Sequence, residues 1–537
     1  MNGAPPIGFT LSPAAKWLLG FGVFCFFMLT GSRERPWADA TPMYEVADAI
    51  VNRGELHIAT AWPEDLHEGR GGKIYAIAPL LQSLQHVPGV FIRKALVSLW
   101  PGTYELSWPF AAHVGPAALG ALTVVLFLAL VRLWGASLRA ALVMGAALAV
   151  GTMLWVYARS SYSECLQAAC FTWLAVEVTR VGGGELSRRR ALALGAAAGL
   201  LVNAKSVYAL ALGGAAAYLL VRLWPRRAAL ARLVGTSLFT FVPLVALLPL
   251  YNWLRWESPW HAGYNLDIPV FEERLLMGLW GLFLSPGKSV FVYCPPLLLS
   301  VVALPRLWRT IPALGLLTIG LVGPVLALYG KMLYWSGDYA WGPRYLLFAV
   351  PLLLVPGTLW LDDAWQVASA RVRRLRLAGA ALVVACGVFV SFLGSAFYWD
   401  HFIRISQQAR RDWLGSPDRS GAPTPEVDGL CGACFEDTHQ LHWLPPFHPV
   451  EGHSWLLRHA WAGSDAKAAL ADAPWVRYTR KPLAAERAFA RVRFDWWPLT
   501  FFDRGRGGMA VVLGAWFVFG MAVVGFMLPP RLRQTRP

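Results

Sequence analysis

Residues 334 to 351 read YWSGDYAWGPRYLLFAVP. A polar, aromatic, glycine-containing cluster ends at Arg344, and a strongly apolar run begins at once. An arginine fixed at the first turn of such a run sits at the level of lipid headgroups, where guanidinium and phosphate meet. The stretch therefore reads as the mouth of a membrane helix. Trp335, Trp341 and Tyr345 beside it match the preference of indole and phenol rings for the membrane–water boundary.

The rest of the chain supports that reading. Its 537 residues are 56% hydrophobic and only 15% charged, with a mean hydropathy of +0.46. A soluble domain carries roughly a quarter charged residues. The net charge of +16 does not indicate nucleic-acid binding, because the Lys and Arg residues are scattered between apolar runs. Of the 7 cysteines, Cys25, Cys165, Cys170, Cys294 and Cys386 lie within apolar segments and read as packing residues. Only Cys431 and Cys434 lie in a polar region, so no disulfide scaffold is expected. With His439 and His442 they have roughly the content of a zinc site, but the histidine spacing is off the common pattern. A disulfide or two thiols is the plainer reading, and no metal ligand is assigned.

Apolar runs of about 18 residues predict membrane helices. They fall near 14–30, 109–133, 139–157, 164–180, 190–203, 206–223, 231–252, 289–305, 311–329, 345–361, 377–396 and 509–528. The expected fold is an all-α polytopic membrane protein of about 12 spans. Within it, 190–223 reads either as one long helix or as two short ones. The basic connections 180–190, 222–232, 305–310 and 370–376 and the C-terminal tail all fall on one side when spans are counted alternately. That side is expected to be the cytoplasm, together with both termini. The protein would then be a multi-pass membrane protein. The long segments 31–108 and 397–508 would lie on the outer side. Residues 1–396 would form the transmembrane module, with 31–108 as its first outer loop. Residues 397–508 would form a small mixed α/β outer domain, and 509–537 the last helix and its tail.

The first outer loop predicts membrane-parallel helices. In 35–58, Thr41 is a good N-cap, Pro42 suits the first turn and Gly54 suits the C-terminal cap. Met43, Val46, Ala47 and Ile50 repeat at helical spacing, with Glu45, Asp48 and Asn52 on the other face. Asp39 stands just ahead of this helix. Lys73 and Tyr75 precede another short apolar helix, and 91–100 is amphipathic again. Such a loop suits an enzyme working at the interface better than a transporter.

Several pieces, in order along the chain, carry a family resemblance. They are Asp39 with Tyr44 after the first span, GGKIYAIAPLLQSL at 71–84, SSYSECL at 160–166, SPGKSVFVYCP at 285–295 and GDYAWGPRYLLFAVP at 337–351. Together they resemble the GT-C superfamily of integral membrane glycosyltransferases over roughly residues 14–361. The likeness is to bacterial members related to protein O-mannosyltransferases and to the lipid A aminoarabinose transferase. The resemblance implies a polyprenyl-phosphate sugar donor and inverting transfer on the outer face of a bacterial inner membrane, with the long segments 31–108 and 397–508 periplasmic. The acceptor would be a protein, lipid A or a cell-envelope polysaccharide. Asp39 matches the family's catalytic acid and is the expected general base, with Asp48 as the second choice. Many members carry Asp-Glu where this chain has Asp39-Ala40, so a divalent metal is possible but not indicated.

The leaving lipid phosphate calls for cations, which stabilise the charge it develops. Arg344, Lys73 and Lys288 are the candidates, with Lys205 at an outer edge between spans. Lys331 and Arg255 read as interfacial anchors. Asp338 would orient Arg344 or contact the sugar. Glu164 opens a span, where an acid is costly unless it meets a cavity or a partner. Tyr75, Tyr345, Trp341 and Tyr264 could line a sugar or isoprenoid groove. The rival readings are a lipid or sugar transporter or flippase, and a non-catalytic envelope assembly protein of the same shape. Transporters concentrate polar groups near the midplane within internal repeats; here the polar groups gather at one interface.

Overall fold

In the computed structural model, the described residues are 12–34, 39–58, 67–104, 107–263, 270–337, 340–414, 442–443, 445–476, 489 and 492–533. Asp338, Tyr264, Cys431, Cys434 and His439 lie outside them, and with them the readings made there.

The fold is an α-helical polytopic membrane fold. The first helix, α1 (Pro13–Leu29), starts where Ser12 Oγ accepts from the Ala15 N–H and Pro13 supplies a preset φ. The first loop follows, with α2 (Ala40–Arg53), strands β1 (His67–Glu68) and β2 (Ile74–Tyr75), α3 (Leu80–Leu84) and α4 (Val87–Leu99). Then come α5 (Ser107–Leu133), α6 (Leu138–Val150), α7 (Met153–Ala158), α8 (Glu164–Gly182), α9 (Arg188–Ala204), α10 (Ala209–Leu223) and α11 (Arg227–Trp256). The chain continues through α12 (Leu275–Leu284), α13 (Val290–Tyr293), α14 (Leu297–Thr310), α15 (Pro312–Lys331), α16 (Val350–Leu353), α17 (Val355–Gln366) and α18 (Ala370–Ala396). Last come α19 (Trp399–Leu414), α20 (Pro449–Ala462), α21 (Ala466–Ala471), α22 (Trp497–Asp503) and α23 (Gly507–Arg533).

Among the described residues, 5 helical stretches are long and apolar enough to cross a membrane. Several runs read as single spans are interrupted instead. Residues 289–305 break between α13 and α14 at Cys294–Pro296, where two prolines remove consecutive N–H donors. Residues 139–157 break at Gly151 and Thr152, and 345–361 divides into a 3₁₀ turn, α16 and α17. Residues 190–223 form two helices, parted at Lys205, whose backbone is extended at φ −166° and ψ 126°. The short apolar helix α12 was not anticipated.

In lipid, helices gain nothing from leaving water, so close packing and interhelical hydrogen bonds hold them together. Helix α9 shows both. Its Ala- and Gly-rich face lies against α11, where Asn203 Nδ2 donates to Leu244 O at 2.8 Å. Thr240 Oγ1 of α11 donates to Leu192 O of α9, also at 2.8 Å. Each such bond contributes about 0.6 kcal/mol.

Helix α2 starts two residues earlier than the Thr41 cap implies. Asp39 takes the cap position but makes no side-chain cap hydrogen bond. Gly54 closes the helix in the left-handed region, at φ 68°. Met43, Val46 and Ala47 are buried and Ile50 is partly so, against α3, α4 and the loop strands. The apolar face predicted to rest on the membrane thus packs inside the protein.

The segment 397–508, expected to be mixed α/β, is described only in part. Its described residues form helices plus one isolated bridge, Phe397 to Phe494. Phe402, Ile405, Trp455, Leu456, Leu470 and Trp475 form an apolar cluster within it. The segment is fastened to the first span. Trp497 donates from its backbone to Gly31 O at 2.9 Å and from its indole to Met28 O at 2.6 Å. Beside these bonds lies a fully buried ion pair, Arg159 Nη1 to Asp495 Oδ2 at 3.0 Å. Arg159 also donates to Thr30 O and Asp495 O, while Asp495 Oδ1 accepts from Ser32 Oγ at 2.6 Å and Arg33 N at 2.9 Å.

Candidate functional site

The loop that carries Arg344 is built before Arg344 is placed. Lys288, completely buried, donates from Nζ to Ala340 O at 2.7 Å and Gly342 O at 3.2 Å. Tyr157 Oη donates to Trp341 O at 2.9 Å. The indole of Trp341 is buried against Tyr293 and His453. Gly342 sits at φ 65°, and a Cβ there would lie 2.6 Å from Tyr293 Cγ and 2.7 Å from Met153 Sδ. Only glycine fits both the backbone angle and the space. Arg344 then opens a 3₁₀ turn at a fixed position.

The Arg344 side chain is 10% exposed. Its Nη1 donates to Asp39 Oδ2 at 2.9 Å and lies 3.9 Å from Glu164 Oε1. Among the described residues, neither its buried Nε nor Glu164 Oε2 has a hydrogen-bond partner. The Tyr162 ring lies 5.6 Å from the guanidinium carbon and the Tyr345 ring 5.1 Å. Tyr345 stacks on Tyr329 at 4.9 Å and 8°. Lys205 Nζ lies 4.7 Å from the Tyr345 ring and 5.4 Å from the Tyr329 ring. Burial, then the neighbouring Arg344 charge, pushes the Lys205 ammonium down to about 8; Glu164 and Asp39 oppose that shift.

Four chain segments therefore meet at one end of the bundle: the residue ahead of α2, the start of α8, the α9–α10 joint and the loop before α16. Gln82 of α3 ties the first loop to the same place by donating to Ala204 O at 2.6 Å, next to Lys205. The result is two carboxylates and two cations walled by tyrosines. Asp39 is half exposed and Glu164 buried. Such a set can hold a divalent anion between cations and place a carboxylate beside it.

Of the sequence candidates, Asp39, Glu164, Arg344 and Tyr345 come together, with Lys205, the weaker candidate, beside them. Lys73 and Tyr75 do not join them by any hydrogen bond or ion pair among the described residues. They belong to a hairpin held against the end of α11. There Gly69 N donates to Lys73 O at 2.8 Å and Tyr75 Oη reaches Arg70 O at 3.5 Å. Arg255 is no simple surface anchor. Buried between the Tyr251 and Trp256 rings, it donates to Ala76 O and Ala78 O and locks that hairpin. Lys288 holds backbone carbonyls, as described. Asp48 faces Arg93 at 3.7 Å on the far side of α2. Lys331 ends α15, and its carbonyl accepts from Glu273 N at 3.1 Å. Among the described residues, no group of three or more His, Cys, Asp or Glu side chains is placed to hold a metal ion. Sequence reasoning missed Tyr162 and Tyr329. Tyr162 lay two residues before Glu164 in a segment already singled out; nothing in the local sequence marks Tyr329.

No family model matches the chain, and no curated protein does. Among solved structures it is similar to ArnT from Cupriavidus metallidurans bound to undecaprenyl phosphate. That match has 15% identity and a TM-score of 0.45, over 95% of this chain and 76% of that one. The apo state of the same protein gives 16% identity and a TM-score of 0.46, over 96% and 77%. The apo oligosaccharyltransferase of Archaeoglobus fulgidus gives 13% identity and a TM-score of 0.37, over 77% and 61%.

Proposed function

We propose that the protein is an inverting glycosyltransferase that takes a sugar from a polyprenyl-phosphate donor at the outer face of the cytoplasmic membrane. The observation that carries this reading is the incomplete satisfaction of Arg344. Its Nη1 is engaged by Asp39, while its Nε is buried and, among the described residues, unpartnered. A buried donor left open costs about 1–3 kcal/mol, and an incoming phosphate oxygen would recover it. The family resemblance of the Asp39 and Arg344 segments agrees with it.

In the proposed reaction, the donor phosphate binds the open side of Arg344, with Lys205 as the second cation. The acceptor's nucleophile attacks the anomeric carbon from the face opposite the phosphate. The new bond to the acceptor forms as the bond from that carbon to the phosphate oxygen breaks. The acceptor's proton passes to the Asp39 carboxylate, and the electron pair of the broken bond leaves with the lipid phosphate. Arg344 and Lys205 stabilise the charge that gathers there. Buried Glu164 holds Arg344 from behind, so that the guanidinium does not swing away with the product. Tyr162 and Tyr345 wall the guanidinium against water.

The test is loss of sugar from radiolabelled polyprenyl-phosphate sugars, using purified protein in detergent with crude envelope as acceptor source. Turnover by the wild type that collapses in Asp39→Asn is expected. Turnover unchanged in Asp39→Asn moves the base elsewhere, and no turnover with any donor overturns the enzyme reading.

A further inference from the structure

Helices α8 and α9 have a second end. Each is about 25–28 Å long at 1.5 Å per residue, so that end lies far from Arg344. There Arg180 ends α8, Arg188, Arg189 and Arg190 begin α9, Arg222 ends α10, and Arg226 and Arg227 lead into α11. The two turns lie side by side: Arg226 Nη1 is 3.4 Å from where a Cβ on Gly184 would stand. Arg190 is neutralised by Glu177 and Glu185. Among the described residues, Arg188, Arg189, Arg222, Arg226 and Arg227 have no ion-pair partner.

Directly beneath this basic rim the same four helices leave a groove of about 380 Å³. Leu174 of α8, Leu194 of α9, Ala216 and Leu220 of α10, and Leu233 and Phe241 of α11 line it, and Ser237 is its only polar lining residue. Along α11 it runs from Leu230 to Phe241, roughly 16 Å at the helical rise. It begins about 5 Å below Arg227. That span equals about half of a ~30 Å hydrocarbon core, the depth of one leaflet.

We propose that this groove binds one acyl chain of an anionic phospholipid whose headgroup phosphate rests on the arginine rim. A groove open to the bilayer is filled by hydrocarbon, since no water is present to fill it. The rim selects the headgroup: guanidiniums within one to two turns of the chain slot favour a negative lipid over a zwitterionic one. A bias of positive charge toward one membrane side accounts for arginines at helix ends. It does not account for a leaflet-deep slot opening under them. The site is separate from the Asp39–Arg344 end, so the proposal does not depend on the reading of that end.

The test compares the purified protein in nanodiscs of phosphatidylcholine with and without phosphatidylglycerol, scoring lipid retained after extraction by native mass spectrometry. Phosphatidylglycerol retained about tenfold over its share of the bilayer is expected. The exposed triple variant Arg188→Gln, Arg226→Gln, Arg227→Gln should lose that preference while still retaining lipid. Ala216→Phe, which fills the slot, should lower retention of both lipids. Equal retention of the two lipids by the wild type overturns the proposal. So does a preference that survives the triple variant, which would place the anionic lipid elsewhere. Donor cleavage measured on the same samples should stay within about twofold of wild type.

Discussion

Two arginine–aspartate pairs lie near the end of the first span, and they have opposite characters. Arg159 and Asp495 are 0% and 1% exposed. Every nitrogen of that guanidinium is used, and both oxygens of the carboxylate have partners. Arg344 and Asp39 are 10% and 50% exposed, and among the described residues the guanidinium keeps an unpartnered Nε. The first pair is closed and joins distant parts of the chain. The second is open on one side, as a binding group must be before its ligand arrives. The same chemistry thus reads as architecture in one place and as a site in the other, and saturation of the hydrogen bonds tells them apart.

Making the same edit at both pairs is the sharpest way to break this contrast. Asp39→Asn should reduce donor cleavage by about 10²–10⁴, the usual contribution of a positioned base. Its unfolding midpoint should stay put, since a half-exposed pair adds only about 0–1 kcal/mol. Asp495→Asn should do the reverse and destabilise the protein by about 3–5 kcal/mol, because Arg159 is left buried and uncompensated. Thermal unfolding in detergent and the fraction of monodisperse protein would record it. Replacing the pair together, as Arg159→Met with Asp495→Leu, should regain most of that loss. If Asp39→Asn instead melts the protein, the second pair is architecture too.

Arg344→Lys keeps the charge but loses the fork. It should lower kcat/KM for the lipid donor about tenfold, the effect of one charge-assisted hydrogen bond. The smallest effect concerns pH. The Lys205 ammonium, pushed down to about 8, carries its charge below that pH and loses it above. Donor affinity should therefore fall as pH rises from 7 to 9, by up to about fivefold, the worth of a partly exposed ion pair. Lys205→Met should flatten that slope, and a slope that persists in the variant would assign it to another group.

The membrane helices were legible because apolar runs of span length have few alternatives. Glu164 and Arg344 stood out because charge beside such runs is costly and therefore conspicuous; Asp39 stood out through the family resemblance of its segment. Their partners were not legible. Arg344 was expected to be oriented by Asp338, six residues away. Among the described residues its carboxylates are Asp39, 305 positions distant, and Glu164. Lys288 looked like a phosphate ligand because sequence cannot show that a turn's carbonyl groups would face it. The Pro295–Pro296 break was visible as residues but not as geometry, since prolines within a span kink some helices and divide others. The α9–α10 joint was ambiguous for a related reason: nothing local says that the chain extends at Lys205. Every miss concerns which surfaces meet, which depends on parts of the chain far apart in sequence.

The clasp at Asp495 also sets an order in time. Arg159 is synthesised 336 residues before the carboxylate that neutralises it. At roughly 5–20 residues per second, the ribosome takes on the order of half a minute to supply Asp495. Throughout that interval the growing chain holds an arginine that has not yet met its counter-ion. The segment that delivers Asp39 begins at Ser32 and Arg33, which Asp495 later grips. Until Asp495 is made, the chain lacks the clasp that fastens the start of that segment, and the last helix, α23, is still to follow.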